Sequence, residues 1–318
     1  MNRPFLLLTV LLLFCTISRA GIINVPGDQP TIQAGIDSAA TGDTVLVADN
    51  TYLENINFKG KAITVASHFI MNGDTNHILN TVIDGSQPTN PDSGSVVYFV
   101  SAEDTTSILT GFTITGGSGT PLIPPVLYGE EKGGGGIYCW NAGPRITDNR
   151  ITGNTLSNTD MALGGGLFCF AENNLYHLIV RNNVFSANTV DADSLAGGAG
   201  LAIGIDATVE NNRVTDNTAI SSTVSLGSAI VAANPFAGWG ALNFNNNTIT
   251  HNQATADGIT YAAVYSELSD ISVIENTIAY NTVSALADCW GAGVFAGFAE
   301  GNSIIQNNMI SNNTSLSG

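Results

Sequence analysis

A motif of fixed internal spacing recurs six times in the second half of the chain. It consists of an apolar residue, an Asn three positions later, an apolar residue two beyond, and a second Asn three further on. The sets are Ile146, Asn149, Ile151, Asn154; Val180, Asn183, Phe185, Asn188; Val209, Asn212, Val214, Asn217; Phe244, Asn247, Ile249, Asn252; Val273, Asn276, Ile278, Asn281; and Ile305, Asn308, Ile310, Asn313. Successive copies lie about 29 to 35 residues apart, a period that signals a repeat architecture. The spacing fits no helical stripe, so it specifies strands of about three to five residues broken by tight bends. Asn tolerates left-handed backbone and bonds neighbouring main chain, which suits each bend.

Stacking such units makes one fold. The apolar positions point inward and cover on successive coils what one coil cannot bury alone. Asn149, Asn183, Asn212, Asn247, Asn276 and Asn308 then form a structural ladder of amides along the axis. Each unit opens with small residues before an apolar strand, as in Gly134-Gly135-Gly136-Ile137 and Gly164-Gly165-Gly166-Leu167. Glycine there permits a close turn and positive φ. A helical solenoid would need ten-residue amphipathic runs, and the repeat region has none. The expected fold is all-β: a single-stranded right-handed parallel β-helix.

The preceding residues fit the start of the same rod. Pro30-Thr31 followed by Ile32, Ile36 and Ala39-Ala40 predicts a short amphipathic helix over 30–40 that caps the open core. Thr44–Val47, Ile56–Phe58 and Ala62–Val65 are expected strands of a first coil, and Val82-Ile83, Val96–Val100 and Phe112–Thr115 of the next. Residues 118–132, with three prolines, are expected to leave the rod as an excursion. Residues 1–20 read as an export signal: Arg3, an apolar run from Phe5 to Ile17 too short to span a bilayer, and small residues at Ser18 and Ala20. Residues 21–318 are then one β-helix domain, secreted or at the cell surface, with no membrane span once the signal is removed. The repeat runs to Gly318 without a cap, so truncation at the C-terminus is expected.

The net charge is −17, and loss of Arg3 and Arg19 with the leader takes it two units further negative. Such a surface disfavours nucleic acid and anionic membranes as partners. Among cofactors none is identified, and calcium is the one that the acidity would suit. Three cysteines remain after the leader, Cys139, Cys169 and Cys289, an odd number that argues against a full disulfide framework. Cys139 and Cys169 occupy equivalent places in adjacent repeats, about 4.8 Å apart if the strands stack. In-register side chains point the same way, which favours two stacked thiols over a bridge.

With these residues laid out, the chain resembles the right-handed parallel β-helix superfamily of pectate lyases and other polysaccharide-active enzymes. The likeness lies in Val25-Pro26, Pro30-Thr31-Ile32-Gln33, Gly42-Asp43-Thr44-Val45, Phe58–Val65, Gly111-Phe112-Thr113-Ile114 and the glycine-rich repeats. The repeats are also similar to those of chlamydial polymorphic outer-membrane proteins, whose signatures are a Gly-Gly-Ala-aliphatic run and a Phe-x-x-Asn tetrad. Only Phe185 to Asn188 matches that tetrad strictly. These motifs imply a fold and leave the chemistry open.

Catalysis finds little anchor in the residues. Lyase chemistry would need an Arg or Lys base with calcium-holding carboxylates. Arg150 and Arg213 each follow a ladder Asn, which places them on one face two coils apart, with Asp148 and Glu210 nearby. Asn158-Thr159-Asp160 imitates a polygalacturonase tripeptide without the rest of that family's acidic set. His68, His77, His177 and His251 show no metal-ligand spacing, so no metal site is expected. Binding has a clearer candidate. If Ile137 and Cys139 face inward, alternation turns Tyr138 and Trp140 outward, and Leu167 and Cys169 do the same for Phe168 and Phe170. Four aromatics would then form a platform for stacking on sugar rings, unless the 118–132 excursion covers them. The expected function is a non-catalytic secreted or surface β-helix that binds polysaccharide or another cell-surface component. The alternative is a pectate-lyase-like polysaccharide lyase or glycoside hydrolase.

Overall fold

At each bend the backbone turns through one residue in the left-handed region. In the computed structural model, which describes residues 20–90, 92–122, 129–157, 159–173, 175–233, 241–267, 270–297 and 303–318, that residue is the one before each ladder Asn. Asp148, Asn182, Asn211, Asn246, Glu275 and Asn307 take φ of 54–57° or thereabouts at the first bend. Gly153, Ala187, Asp216, His251, Tyr280 and Asn312 do so at the second. The expectation that the ladder Asn itself takes the left-handed turn is thus corrected. Its predecessor makes the turn, which leaves the Asn extended and aimed into the rod.

The strands between bends stack in register as a parallel β-solenoid of about eight turns. A complete coil has five strands, seen in Leu167–Phe170, His177–Arg181, Val184–Ser186, Thr189–Ala192 and Leu195–Gly197. Their equivalents along the chain build five sheets, named I to V in that order, with eight, ten, nine, six and seven strands among the described residues. Pairing between coils is parallel, apart from Thr120–Pro121, which runs antiparallel to Glu131–Gly133 at the edge of sheet V. The helix expected near residue 30 is present as α1 (Ile32–Ser38), with the Thr31 hydroxyl accepting from the Ala34 N–H and with Ile32 and Ile36 buried. Two short helices that the sequence reading did not anticipate, α2 (Phe69–Asn72) and α3 (Asn76–Asn80), form an insert between sheets II and III. Of the leader expected over residues 1–20, residues 1–19 lie outside those described.

Asn149, Asn183, Asn212, Asn247 and Asn276 are almost wholly buried at the bend between sheets II and III, and Asn308 is half-buried. Asn149 to Asn276 each bridge three coils, and Asn308 bridges two. The Asn212 Nδ2 donates back to the Val180 carbonyl at 2.9 Å and forward to Asn247 Oδ1 at 3.0 Å, and the Asn212 N–H also donates to Asn247 Oδ1 at 2.9 Å. Asn183 repeats the pattern onto Asn212. A second ladder, Asn154, Asn188, Asn217, Asn252, Asn281 and Asn313, does the same at the bend between sheets III and IV.

The apolar positions beside the ladders fill a continuous core between sheets I, II and III, from Val25 to Ile278. Sheets IV and V meet each other through small residues, Ala192, Ala196, Ala199 and Ala219, with Leu156 and Val190. They form a thin flange, and the glycine run lies at its neck. A Cβ on Gly166 would meet the Gly200 carbonyl at 2.6 Å and the Phe185 ring at 2.9 Å. Only the first glycine of each run needs positive φ, 72° at Gly164. At the third position two backbones and a core side chain converge, which admits nothing larger than Gly or the Ala of Ala229 and Ala263.

Replacing Asn212 with Leu leaves the buried Asn183 N–H without its acceptor and takes the side-chain donor from the Val180 carbonyl, which stays in the strand ladder with Val209. At about 1–3 kcal/mol for such an orphaned group, we expect a loss of stability of that size, read as a lower midpoint in denaturant unfolding at unchanged slope.

Candidate functional site

Alternation along sheet I falls as the sequence implies. Ile137, Cys139, Leu167 and Cys169 face the main core, and Tyr138, Trp140, Phe168 and Phe170 face away from it. In-register pairing sets Tyr138 against Phe168 and Trp140 against Phe170. The rings stack: Tyr138 to Phe168 with centroids at 5.4 Å and Phe168 to Phe170 at 4.4 Å.

They do not, however, meet solvent. Tyr138 is 5% exposed, Phe168 0% and Phe170 1%, and Trp140 is half-buried. The flange folds back at the glycine neck, so Met161 and Leu163 of sheet V, together with Leu122 of the excursion, pack over the aromatic column. Burial also drives the Tyr138 hydroxyl pKa far above its ordinary value. The accessible sugar-stacking platform is therefore corrected to a second apolar core, part of whose cover is the excursion. Pro124 and Pro125 lie outside the described residues.

Cys139 and Cys169 are stacked, buried and free, as expected, and the Cys169 thiol donates to the Ala142 carbonyl at 3.5 Å. Burial raises the Cys139 thiol pKa, with the contact to Cys169 adding to it. Thr159 and Asp160 are spent on structure, through the carbonyl and the N–H of Glu130 respectively. Residue 158 lies outside those described. Among the described residues no three His, Cys, Asp or Glu side chains gather to hold a metal ion.

Open grooves lie on the outer face of sheets II and III. Helices α2 and α3 wall a groove of about 600 Å³ lined by Phe69, Ile78, Asp148, Arg150, Arg213 and Asp216, among others. A second groove of about 480 Å³ adjoins it over sheet II, shares Phe69 and Asp148, and contains Arg145 and Arg181. Every arginine after residue 20 thus lines one face. Arg150 and Arg213 sit two coils apart in one register column with Val184 between them, as the spacing implies. Glu210 is not their partner. It lies opposite Arg181 and pairs with its Nε at 3.0 Å.

Most cations here are already engaged. Lys59 pairs with Asp37 at 2.7 Å, Lys61 donates to the Ile36, Asp37 and Ala39 carbonyls, and Lys132 donates to the Ser157 carbonyl. By contrast, among the described residues no carboxylate lies within 4.0 Å of Arg145, Arg150 or Arg213. The Arg145 Nε is buried with no hydrogen-bond partner. In a chain with 26 acidic residues and nine basic ones, three guanidinium groups without a carboxylate within reach, Arg150 and Arg213 in one groove and Arg145 in the adjoining one, make this face a candidate for holding an anion. The groove's wall is held by the pair His77 Nδ1 to Asp49 Oδ1 at 2.6 Å and by the Thr113 hydroxyl on the Ile78 carbonyl at 2.7 Å. The sequence placed Arg150 and Arg213 correctly. It carried no signal for Arg145 and Arg181, which the fold brings from a neighbouring sheet.

No family model, no curated protein and no solved structure matches the chain.

Truncating Phe168 to Ala opens a cavity in the second core, so we expect a loss of roughly 3–5 kcal/mol. A calorimetric scan of the variant checks it. A shift within about 0.5 kcal/mol, usual for exposed sites, would mean that the ring is free.

Proposed function

We propose that the chain is a secreted or cell-surface β-helix that binds an anionic polysaccharide along the groove on sheets II and III, without catalysing a reaction on it. The observation that carries the reading is the set of arginines left without carboxylate partners in that groove. A carboxylated or sulfated polymer supplies the missing counter-charges at intervals along the rod, where Arg150 and Arg213 are about 10 Å apart at the spacing of two parallel strands. Secretion rests on the leader read in residues 1–20. In this reading the rod winds right-handed, α1 closes its N-terminal end, and nucleic acid is disfavoured by the overall charge. The likeness to pectate-lyase-like and polymorphic outer-membrane proteins points to the same class of ligand and the same location. Calcium enters only as a bridge between a ligand carboxylate and Asp148 or Asp216.

Catalysis is the second reading, favoured by those two carboxylates sharing the groove with the arginines. A lyase would release unsaturated ends, seen by ultraviolet absorbance, and a hydrolase would release new reducing ends. We expect neither from pectate or alginate.

Arg150→Gln with Arg213→Gln tests the binding reading. Exposed charge pairs contribute about 0.2–1 kcal/mol each, so affinity for polygalacturonate should fall roughly 2- to 30-fold with the unfolding midpoint unchanged. Binding by the native protein should weaken steeply with salt. Equal affinity of the double variant and the native protein would overturn the assignment of the groove.

A further inference from the structure

Sheet III continues past the arginines without a break. The column of Arg150, Val184 and Arg213 runs on to Thr248 and Thr277, and the next outward column runs from Thr152 through Ser186, Thr215 and Thr250 to Ala279. The groove wall at Thr215 and Asp216 therefore passes directly into Thr250 and His251, with the Thr250 hydroxyl donating to the Thr215 hydroxyl at 3.4 Å. One coil further stands Tyr280. His251 and Tyr280 occupy the left-handed position of the second bend, at φ of 59° each.

That position is an unusual place for a bulky ring. Non-glycine residues there are commonly Asn, Asp or His, and a side chain as bulky as that of Tyr280 with positive φ is an outlier that persists only where the surroundings hold it. In other coils the same position carries Gly153, Asp216 or Asn312, none of which strains the turn as a large side chain does. The two rings lie nearly parallel, 11° apart with centroids at 5.4 Å, and Tyr280 is 54% exposed. Unlike the aromatics of sheet I, nothing among the described residues packs over this pair as a core.

Resting on the reading of the groove as a polysaccharide site, we infer that the ligand track runs two coils beyond Arg213 to a ring-stacking subsite formed by His251 and Tyr280. The apolar face of a sugar ring is the occupant that fits an exposed aromatic pair bordered by the hydroxyls of Thr250 and Thr277. The arginines fix the charged end of the chain, and the aromatic pair takes a ring further along. From Arg150 to the coil of Tyr280 is four strand spacings, about 19 Å, so the full site is filled only by a fragment of that length.

The test is titration calorimetry with size-fractionated oligogalacturonates, one pool shorter than about 10 Å and one longer than about 20 Å, two and four strand spacings respectively. Tyr280→Asn removes the ring and keeps a residue suited to the left-handed turn. Tyr280→Phe keeps the ring. We expect Tyr280→Asn to weaken the long pool roughly five- to tenfold and leave the short pool unchanged, with Tyr280→Phe matching the native protein on both. Native affinity of Tyr280→Asn for the long pool, with the Arg150/Arg213 double variant still impaired, would overturn the subsite and leave the function standing. Failure of the native protein to bind either pool would overturn both. An unfolded Tyr280→Asn variant would show that the ring is structural, which also overturns the subsite.

Discussion

The fold depends on amide groups that no single coil can satisfy. A buried Asn at a bend needs a carbonyl from the coil before it and an acceptor from the coil after it, and a buried polar group without partners is costly. Asn183 finds the Ile146 carbonyl on one side and Asn212 Oδ1 on the other. The two Asn of every repeat are five residues apart, so sheet III and its flanking bends keep one geometry throughout. Variation in repeat length is absorbed elsewhere. Between sheets I and II the connection ranges from the single residue Ile205 to residues 100–107, while the turn between sheets IV and V changes little. The groove lined by Arg150 and Arg213 lies on the part of the coil that the two ladders flank, where a proposed site is best kept in shape.

How much of this was legible can be argued residue by residue. Fixed spacing revealed the inward Ile, Val and Phe positions and both sets of Asn, because a period repeated six times has few physical solutions. In the early coils the Asn motif is missing, yet the strands there were still readable. At the first bend Phe112 takes the place of the ladder residue, and its N–H donates to Asn149 Oδ1 at 3.0 Å with Gly111 making the left-handed turn before it. The sequence offered the 118–132 excursion as a cover for the aromatic face, and Leu122 lies there, but it could not reveal that sheet V returns over the same face. Tyr138, Phe168 and Phe170 do point away from the main core, but the flange returns over them. A chain's period tells which way a side chain faces and is silent about how sharply the next segment folds back. The insert of α2 and α3 was equally hidden, since its residues are unburied and carry no periodic signal.

Charge reads differently in bulk and in place. A strongly negative total argues against anionic partners, but it averages over surfaces that never meet the same ligand. Lys59 and Lys61 are consumed by the first coil and helix α1, whereas Arg145, Arg150 and Arg213 stand apart from carboxylates. Only the winding of the chain decides which cation has a neighbour. The acidic remainder of the surface then sharpens the contrast, confining favourable potential for an anion to one strip of the rod.

The ladders also have a direction. From Asn149 to Asn276 each ladder Asn reaches with its N–H and Nδ2 toward the following coil's Oδ1, and the return bond goes to a main-chain carbonyl of the coil before. A finished coil thus presents two oriented donors at each bend, at a height set by its predecessor, and the next segment has only to supply an oxygen there. The rod is a template for its own growth, and assembly is vectorial: closing one coil fixes the register of the next across some thirty residues of chain. For a chain delivered from its N-terminus, order can follow synthesis one turn at a time, with each turn an encounter between neighbours in place of a search through the whole molecule.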